Sequence, residues 1–147
     1  MNQKILIDSG FWYALYDSRD QFNTVANDLF YVIEKYEMLI PWPTLYETLN
    51  TRFVKRKEWF TSFENLLNQV NVHKISDATY RNVAINTINK FVRINQNYSL
   101  VDLVIRGMLE DVNLDIDVLV TFNPSDFHSV CSKRNIEILN AFQETQP

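Results

Sequence analysis

Glycine is almost missing from this chain of 147 residues, which has only Gly10 and Gly107. Two glycines cannot build the turns that let a backbone wrap a pyrophosphate or triphosphate, so dinucleotide-binding and P-loop chemistries are excluded. The single cysteine, Cys131, excludes an internal disulfide and a cysteine-built zinc cage. No histidine is paired with it in the sequence, and it reads as a small buried hydrophobe, not a nucleophile. His73 and His128 are too few and too dispersed for a histidine metal site, and both are expected to be structural or solvent-facing. No aliphatic run reaches the length of a bilayer span. The chain opens on a strand-like segment where a secreted protein would carry an apolar leader, so a cytoplasmic location with no membrane partner is expected. Positive charge is also scarce, with 14 Lys and Arg against 18 Asp and Glu. The resulting net charge of −4 argues against binding nucleic acid through bulk electrostatics; any such binding must be local or metal-assisted.

What is present is material for a core. At 46% hydrophobic and 14% aromatic content, the chain can bury a substantial interior, and residues 1–147 read as one domain. Short apolar runs at 4–7, 38–40, 70–75, 117–122 and 136–139 read as strands. Helical periodicity fills the intervals at 10–17, 21–36, from Thr44 through Phe53, 59–67, from Ser76 to about Gln96, and from Ser99 onward. Strands alternating with helices predict an α/β fold with a mostly parallel sheet of four or five strands. Phe11, Trp12, Tyr13, Tyr16, Trp59 and Phe60 are an aromatic load that burial should mostly absorb, the alternative being a protein-binding surface.

Four carboxylates, Asp8, Glu47, Asp102 and Asp126, fall where an apolar strand ends or a helix begins. Asp8 follows Ile5-Leu6-Ile7 and should sit at the carboxyl end of a buried strand. Thr44-x-x-Glu47, Ser99-x-x-Asp102 and Asn123-x-x-Asp126 each read as a helix cap followed by an acid at the third position, with Pro124 tolerated at the first. Ligands of open parallel sheets bind in the crevice beyond the strands' carboxyl ends, where chain-distant acids can meet. Gathered carboxylates repel unless they protonate, pair with cations or bind a metal, and an all-oxygen donor set favours Mg2+ or Mn2+. An acid in a first turn also serves the helix with no metal, by satisfying orphan N–H groups. Asp8 resists that reading best, because a carboxylate directly after three aliphatic residues carries a desolvation cost that an ordinary turn residue avoids. Beyond Glu47, the run Arg52-Phe53-Val54-Lys55-Arg56-Lys57 offers a local basic patch that could track phosphates. The alternative there is a solvated helix face whose cations suit the C-terminal dipole.

These pieces, in this order, resemble the PIN-domain family and, within it, the VapC-type toxin ribonucleases, over nearly the full length. Asp8-Ser9 at the end of the first strand resembles the family's opening motif, and Glu47 in the helix after the second strand resembles the next. Ser99-Leu100-Val101-Asp102-Leu103-Val104-Ile105 and Leu119-Val120-Thr121-Phe122-Asn123-Pro124-Ser125-Asp126-Phe127 resemble the third and closing motifs. The resemblance implies a three-layer α/β/α fold and a Mg2+- or Mn2+-dependent endoribonuclease that cuts RNA phosphodiester bonds. It further implies a homodimer whose activity is restrained by a small antitoxin protein. Asp8, Glu47, Asp102 and Asp126 would hold the metal and carry catalysis, with Ser9, Thr121 and Asn123 supporting them and Arg52, Lys55 and Arg56 as candidate RNA contacts. Asn123 departs from the pattern, since many members carry aspartate there. That departure motivates the alternative of a catalytically weak or inactive PIN-like module that binds RNA or serves assembly.

Overall fold

Three consecutive aliphatic residues leave Ile5, Leu6 and Ile7 suited only to a strand covered on both faces. In a computed structural model, which describes residues 2–95 and 97–140, they lie in β1 (Lys4–Ile7) at the middle of a sheet. The other strands are β2 (Glu37–Pro41), β3 (Val72–Ile75), β4 (Val118–Val120) and β5 (Glu137–Leu139). Their spatial order is β3-β2-β1-β4-β5, and every pairing is parallel. Alternate residues feed two separate cores, as the two-residue period of a strand requires. Ile5, Ile7, Met38, Ile40, Val118 and Val120 face one, while Leu6, Leu39 and Leu119 face the other.

The first core is closed by α1 (Ser9–Tyr16), α2 (Asn23–Ile33), α3 (Trp42–Thr48), α4 (Thr51–Val54) and α5 (Lys57–Leu67). The second is closed by α6 (Arg81–Arg93), α7 (Leu100–Glu110) and α8 (His128–Arg134). Two helical layers around a parallel sheet are the three-layer α/β/α arrangement expected from the sequence. Among the described residues no helix is long and apolar enough to cross a membrane. Phe11 and Trp12 are fully buried, and Tyr13, Tyr16 and Trp59 pack against the first core, so the aromatic load is mostly interior. Cys131 is buried beneath α7, its thiol pushed up to about 11 by desolvation. His73 is half exposed and paired with Glu37, and His128 is on the surface.

Several boundaries differ from the sequence reading for identifiable reasons. Thr44 does not cap its helix: α3 begins two residues earlier, at Trp42, and the Thr44 hydroxyl donates to the Pro41 carbonyl at 2.8 Å. Pro43 falls in the first helical turn, where its missing N–H costs nothing. Glu47 therefore lies in the second turn. The helix expected to run through Phe53 is interrupted at Leu49, because the Asn50 side chain accepts from Phe53 N–H at 3.2 Å and starts α4 afresh. Asn123 makes no side-chain cap, and Pro124–Asp126 is a 3-10 turn preceding α8. The helix expected from Ser76 begins at Arg81, and the expected end near Gln96 falls outside the described residues. The Ser99 box forms as expected: Asp102 N–H donates to Ser99 Oγ at 3.0 Å, and Ser99 N–H donates to Asp102 Oδ2 at 3.1 Å.

Candidate active site

The chain winds from β1 outward through β2 to β3, then returns to lay β4 on the other side of β1, so the strand order reverses between β1 and β4. At such a switch point the connections diverge to opposite faces and leave a crevice at the carboxyl ends. Asp8 stands in it. Its N–H donates to the Val120 carbonyl at 3.0 Å, which carries the ladder one residue beyond β1. Its carboxylate caps α1, with Oδ1 accepting from Ser9 N–H at 2.8 Å. Oδ2 accepts from the Thr121 hydroxyl at 2.9 Å, and Thr121 Oγ1 in turn accepts from Asn123 N–H at 3.0 Å. Thr121, just past β4, is fully buried and Asp8 nearly so.

The remaining acids approach from three other elements. Glu47 projects from α3, and its Oε2 accepts from the Ser9 hydroxyl at 2.6 Å, which ties the second motif to the first. Asp102 sits in the first turn of α7, and Asp126 ends the 3-10 turn after β4. Burial pushes the Asp8 carboxyl above its ordinary range, against the two hydrogen bonds that favour its ionised form, and the charges of Asp102 and Glu47 push it further. Burial likewise raises Asp126; Asp102 adds to the shift and Arg106 opposes it. Asp102 thus acts on acids to either side, and Glu47 on one of them. Four segments separated along the chain are electrostatically coupled in one crevice.

No ion pair neutralises any of the four among the described residues. Arg106, one turn after Asp102 on α7, spends its hydrogen bonds on the Asp126 carbonyl at 2.8 Å and Ser129 Oγ at 3.1 Å. It was not singled out from the sequence, although its i, i+4 spacing from Asp102 places both on one helix face. Among the described residues no three acids, histidines or cysteines are gathered tightly enough to enclose an ion by themselves. Magnesium does not require such a cage: it keeps several waters and takes one or two carboxylates together with phosphate oxygens. An open, all-oxygen and unneutralised donor set fits that habit.

The basic run is placed less directly. Arg52 reaches Asp17 Oδ2 at 3.4 Å and lies over the Tyr13 ring at 5.6 Å, at the far end of α1 from Asp8. Arg56 lies over Trp59 at 5.2 Å, and Lys55 is exposed. Asp17 holds Arg52 away from the carboxylates, about 12 Å along an eight-residue helix.

No family model and no curated protein matches this sequence. Solved structures do match. VapC20 of Mycobacterium tuberculosis, a toxin that cleaves the sarcin-ricin loop, superposes with a TM-score of 0.65 at 19% identity, over 85% of this chain and 94% of that one. VapBC2 of Rickettsia felis, solved bound to a DNA fragment from its promoter, gives a TM-score of 0.64 at 12% identity, over 95% of this chain and all of that one. The fold is that of these VapC-type structures. Asp8 stands in the crevice where the strand order reverses, Asp102 and Glu47 are close enough to act on it, and Thr121 and Ser9 hold the carboxylates of Asp8 and Glu47 in place.

Proposed function

We propose that this protein is a metal-dependent endoribonuclease of the VapC toxin kind, acting on RNA phosphodiester bonds in the cytoplasm and restrained by a small antitoxin. The observation carrying this reading is that the charge of Asp102 bears on Asp8 and Asp126, and that of Glu47 on Asp8, in a crevice where Arg106 opposes only the shift of Asp126 and no ion pair among the described residues neutralises any of the four. Helix capping accounts for Asp8 and Asp102 one at a time, but it makes no demand that such charges be brought together. Asp8, Glu47, Asp102 and Asp126 would hold Mg2+ or Mn2+, which when bound lowers the pKa of water and offsets charge on the phosphoryl oxygens. The chain's own groups set the geometry. Ser9 N–H and the Thr121 hydroxyl fix both oxygens of Asp8, and Ser9 Oγ fixes Glu47. Asp126, with its proton affinity raised, is a better acceptor for a proton from attacking water than an ordinary surface carboxylate.

The test is cleavage of labelled single-stranded RNA with Mn2+ or Mg2+, against the same reaction in EDTA and against a simple phosphate ester. Cleavage of RNA alone, abolished by EDTA, is the expected result. RNA that binds but stays intact would favour the inactive module, a reading supported by Asn123 standing where an additional acid could sit.

Thr121→Val keeps the size of the side chain and removes the donor to Asp8. Loss of an outer partner of a metal-holding carboxylate lowers activity about 10- to 100-fold. Metal titration of the cleavage rate should show a higher metal requirement; an unchanged rate and requirement would remove Thr121 from the site.

A further inference from the structure

Beside the carboxylates, the structure exposes a pair of aromatic rings that the core does not use. Trp42 and Tyr46 are one helical turn apart on α3 and share a face. Their centroids are 5.9 Å apart at an interplanar angle of 40°, and they are 38% and 71% exposed. Lys74, on the edge strand β3, carries its ammonium 5.8 Å from the Trp42 ring centroid. The β2–β3 register pairs Ile40 with Lys74 and Pro41 with Ile75, so Lys74 reaches the same carboxyl edge from which α3 departs. Tyr46 also walls a mostly apolar cleft of about 290 Å3, together with Glu47, Leu100 and Val101, and with Arg81 at its rim. Glu47, whose carboxylate is held by Ser9 beside Asp8, is thus also part of this cleft's wall.

We propose that Trp42, Tyr46 and Lys74 form a stacking platform for unpaired nucleotides of single-stranded RNA, seating the strand beside the carboxylates. This rests on the ribonuclease reading and names how that site takes its substrate. An apolar protein surface laid on this face would bury the Lys74 ammonium with no countercharge, a costly arrangement. A single strand of RNA satisfies every part: its bases have flat faces for the rings, and its phosphates have a cation in Lys74. Duplex RNA keeps its base faces stacked inside the helix, so the platform selects loops, bulges and ends. Tyr46 and Glu47 line the same cleft, so a base stacked on Tyr46 brings an adjoining phosphodiester toward the acids.

The experiment measures anisotropy of a short labelled oligoribonucleotide in EDTA, where cleavage cannot interfere, and cleavage with Mn2+ separately. Trp42→Ala and Tyr46→Ala should each weaken binding about 5- to 150-fold, the range seen on removing a base-stacking aromatic. Trp42→Phe and Tyr46→Phe should restore most of it, and Lys74→Gln should flatten the salt dependence of affinity. An oligonucleotide carrying abasic positions should bind weakly to the wild type and lose little more on either alanine substitution. Circular dichroism and thermal midpoints of the variants verify folding, which these exposed side chains should not disturb. Alanine variants that bind RNA as tightly as the wild type while cleavage persists would overturn the platform and leave the ribonuclease reading standing. Binding that depends on both rings but leads to no metal-dependent cleavage would keep the platform and end that reading. Absence of RNA binding by the wild type in EDTA would overturn the platform, and absence of cleavage with Mn2+ as well would overturn the ribonuclease reading. A change confined to oligomeric state by light scattering, with RNA affinity unchanged, would assign the face to a second copy and overturn the platform.

Discussion

Asp8→Asn is expected to lower metal-dependent RNA cleavage by more than about 100-fold while making the protein harder to unfold at neutral pH. The activity loss follows from removing charge at the one acid hydrogen-bonded from both β4 and α1; losing even an outer partner of a metal site costs up to about 100-fold. The stability gain follows from burial. Desolvation raises the Asp8 carboxyl in the folded protein, so the unfolded chain ionises first and folding holds the proton longer. Wild-type stability in EDTA should therefore fall as pH rises from the unfolded-state value of about 3.9 toward the raised folded value, and remain lower above it. Asparagine carries no charge to desolvate, and its amide oxygen can still accept from Ser9 N–H. Thermal midpoints of the two proteins should converge in acid and separate at neutral pH, with the variant higher. Adding Mn2+ should raise the midpoint of the wild type and not of Asp8→Asn. A variant that melts lower than the wild type at pH 7, or that still cleaves, would contradict this account of the crevice.

Phe53→Ala should cost about 3–5 kcal/mol, a large share of the ~5–15 kcal/mol that holds a domain of this size together. Phe53 is fully buried, and its ring lies 5.5 Å from Tyr13, 5.8 Å from Tyr16 and 5.7 Å from both Trp59 and Phe63. It is the only buried residue of α4, a helix of four residues too short to hold itself, and it joins that helix to α1 and α5. Truncation leaves a cavity ringed by rigid side chains that cannot collapse to fill it. Urea unfolding followed by tryptophan fluorescence reads the loss directly; a change under about 1 kcal/mol would mean the cluster repacks freely.

Both residues were visible in the sequence, but by different routes. Asp8 was legible because three aliphatics fix a central strand and the acid after them can only lie at its carboxyl end. Asp102 was legible because Ser99 and Asp102 satisfy each other within one helical turn, a local arrangement needing no tertiary information. The same logic failed at Thr44, where Pro41 ends the strand and the helix starts at once at Trp42, and at Asn123, whose backbone N–H is drawn to Thr121 Oγ1. Those two outcomes depend on the sheet already being in place. Phe53 stood at the end of the helix read from Thr44, with nothing in the sequence to say what it packs against. Trp42 and Tyr46 were harder still, because nothing in their spacing separates a ring turned outward from one turned in. The basic run shows the limit from another side: four cations in six residues were plain to see, but Asp17, 35 residues before Arg52, decides where one of them rests.

The bond from Thr121 to Asp8 spans 113 positions of the chain. During synthesis β1 emerges first, yet it stays an edge strand until β4 arrives from the last quarter of the polypeptide. Before that moment Asp8 has neither its hydroxyl clamp nor the turn that carries Asp126. A chain cut short before Thr121 would thus lack the assembled crevice, and on the proposed function it would be unable to cleave RNA.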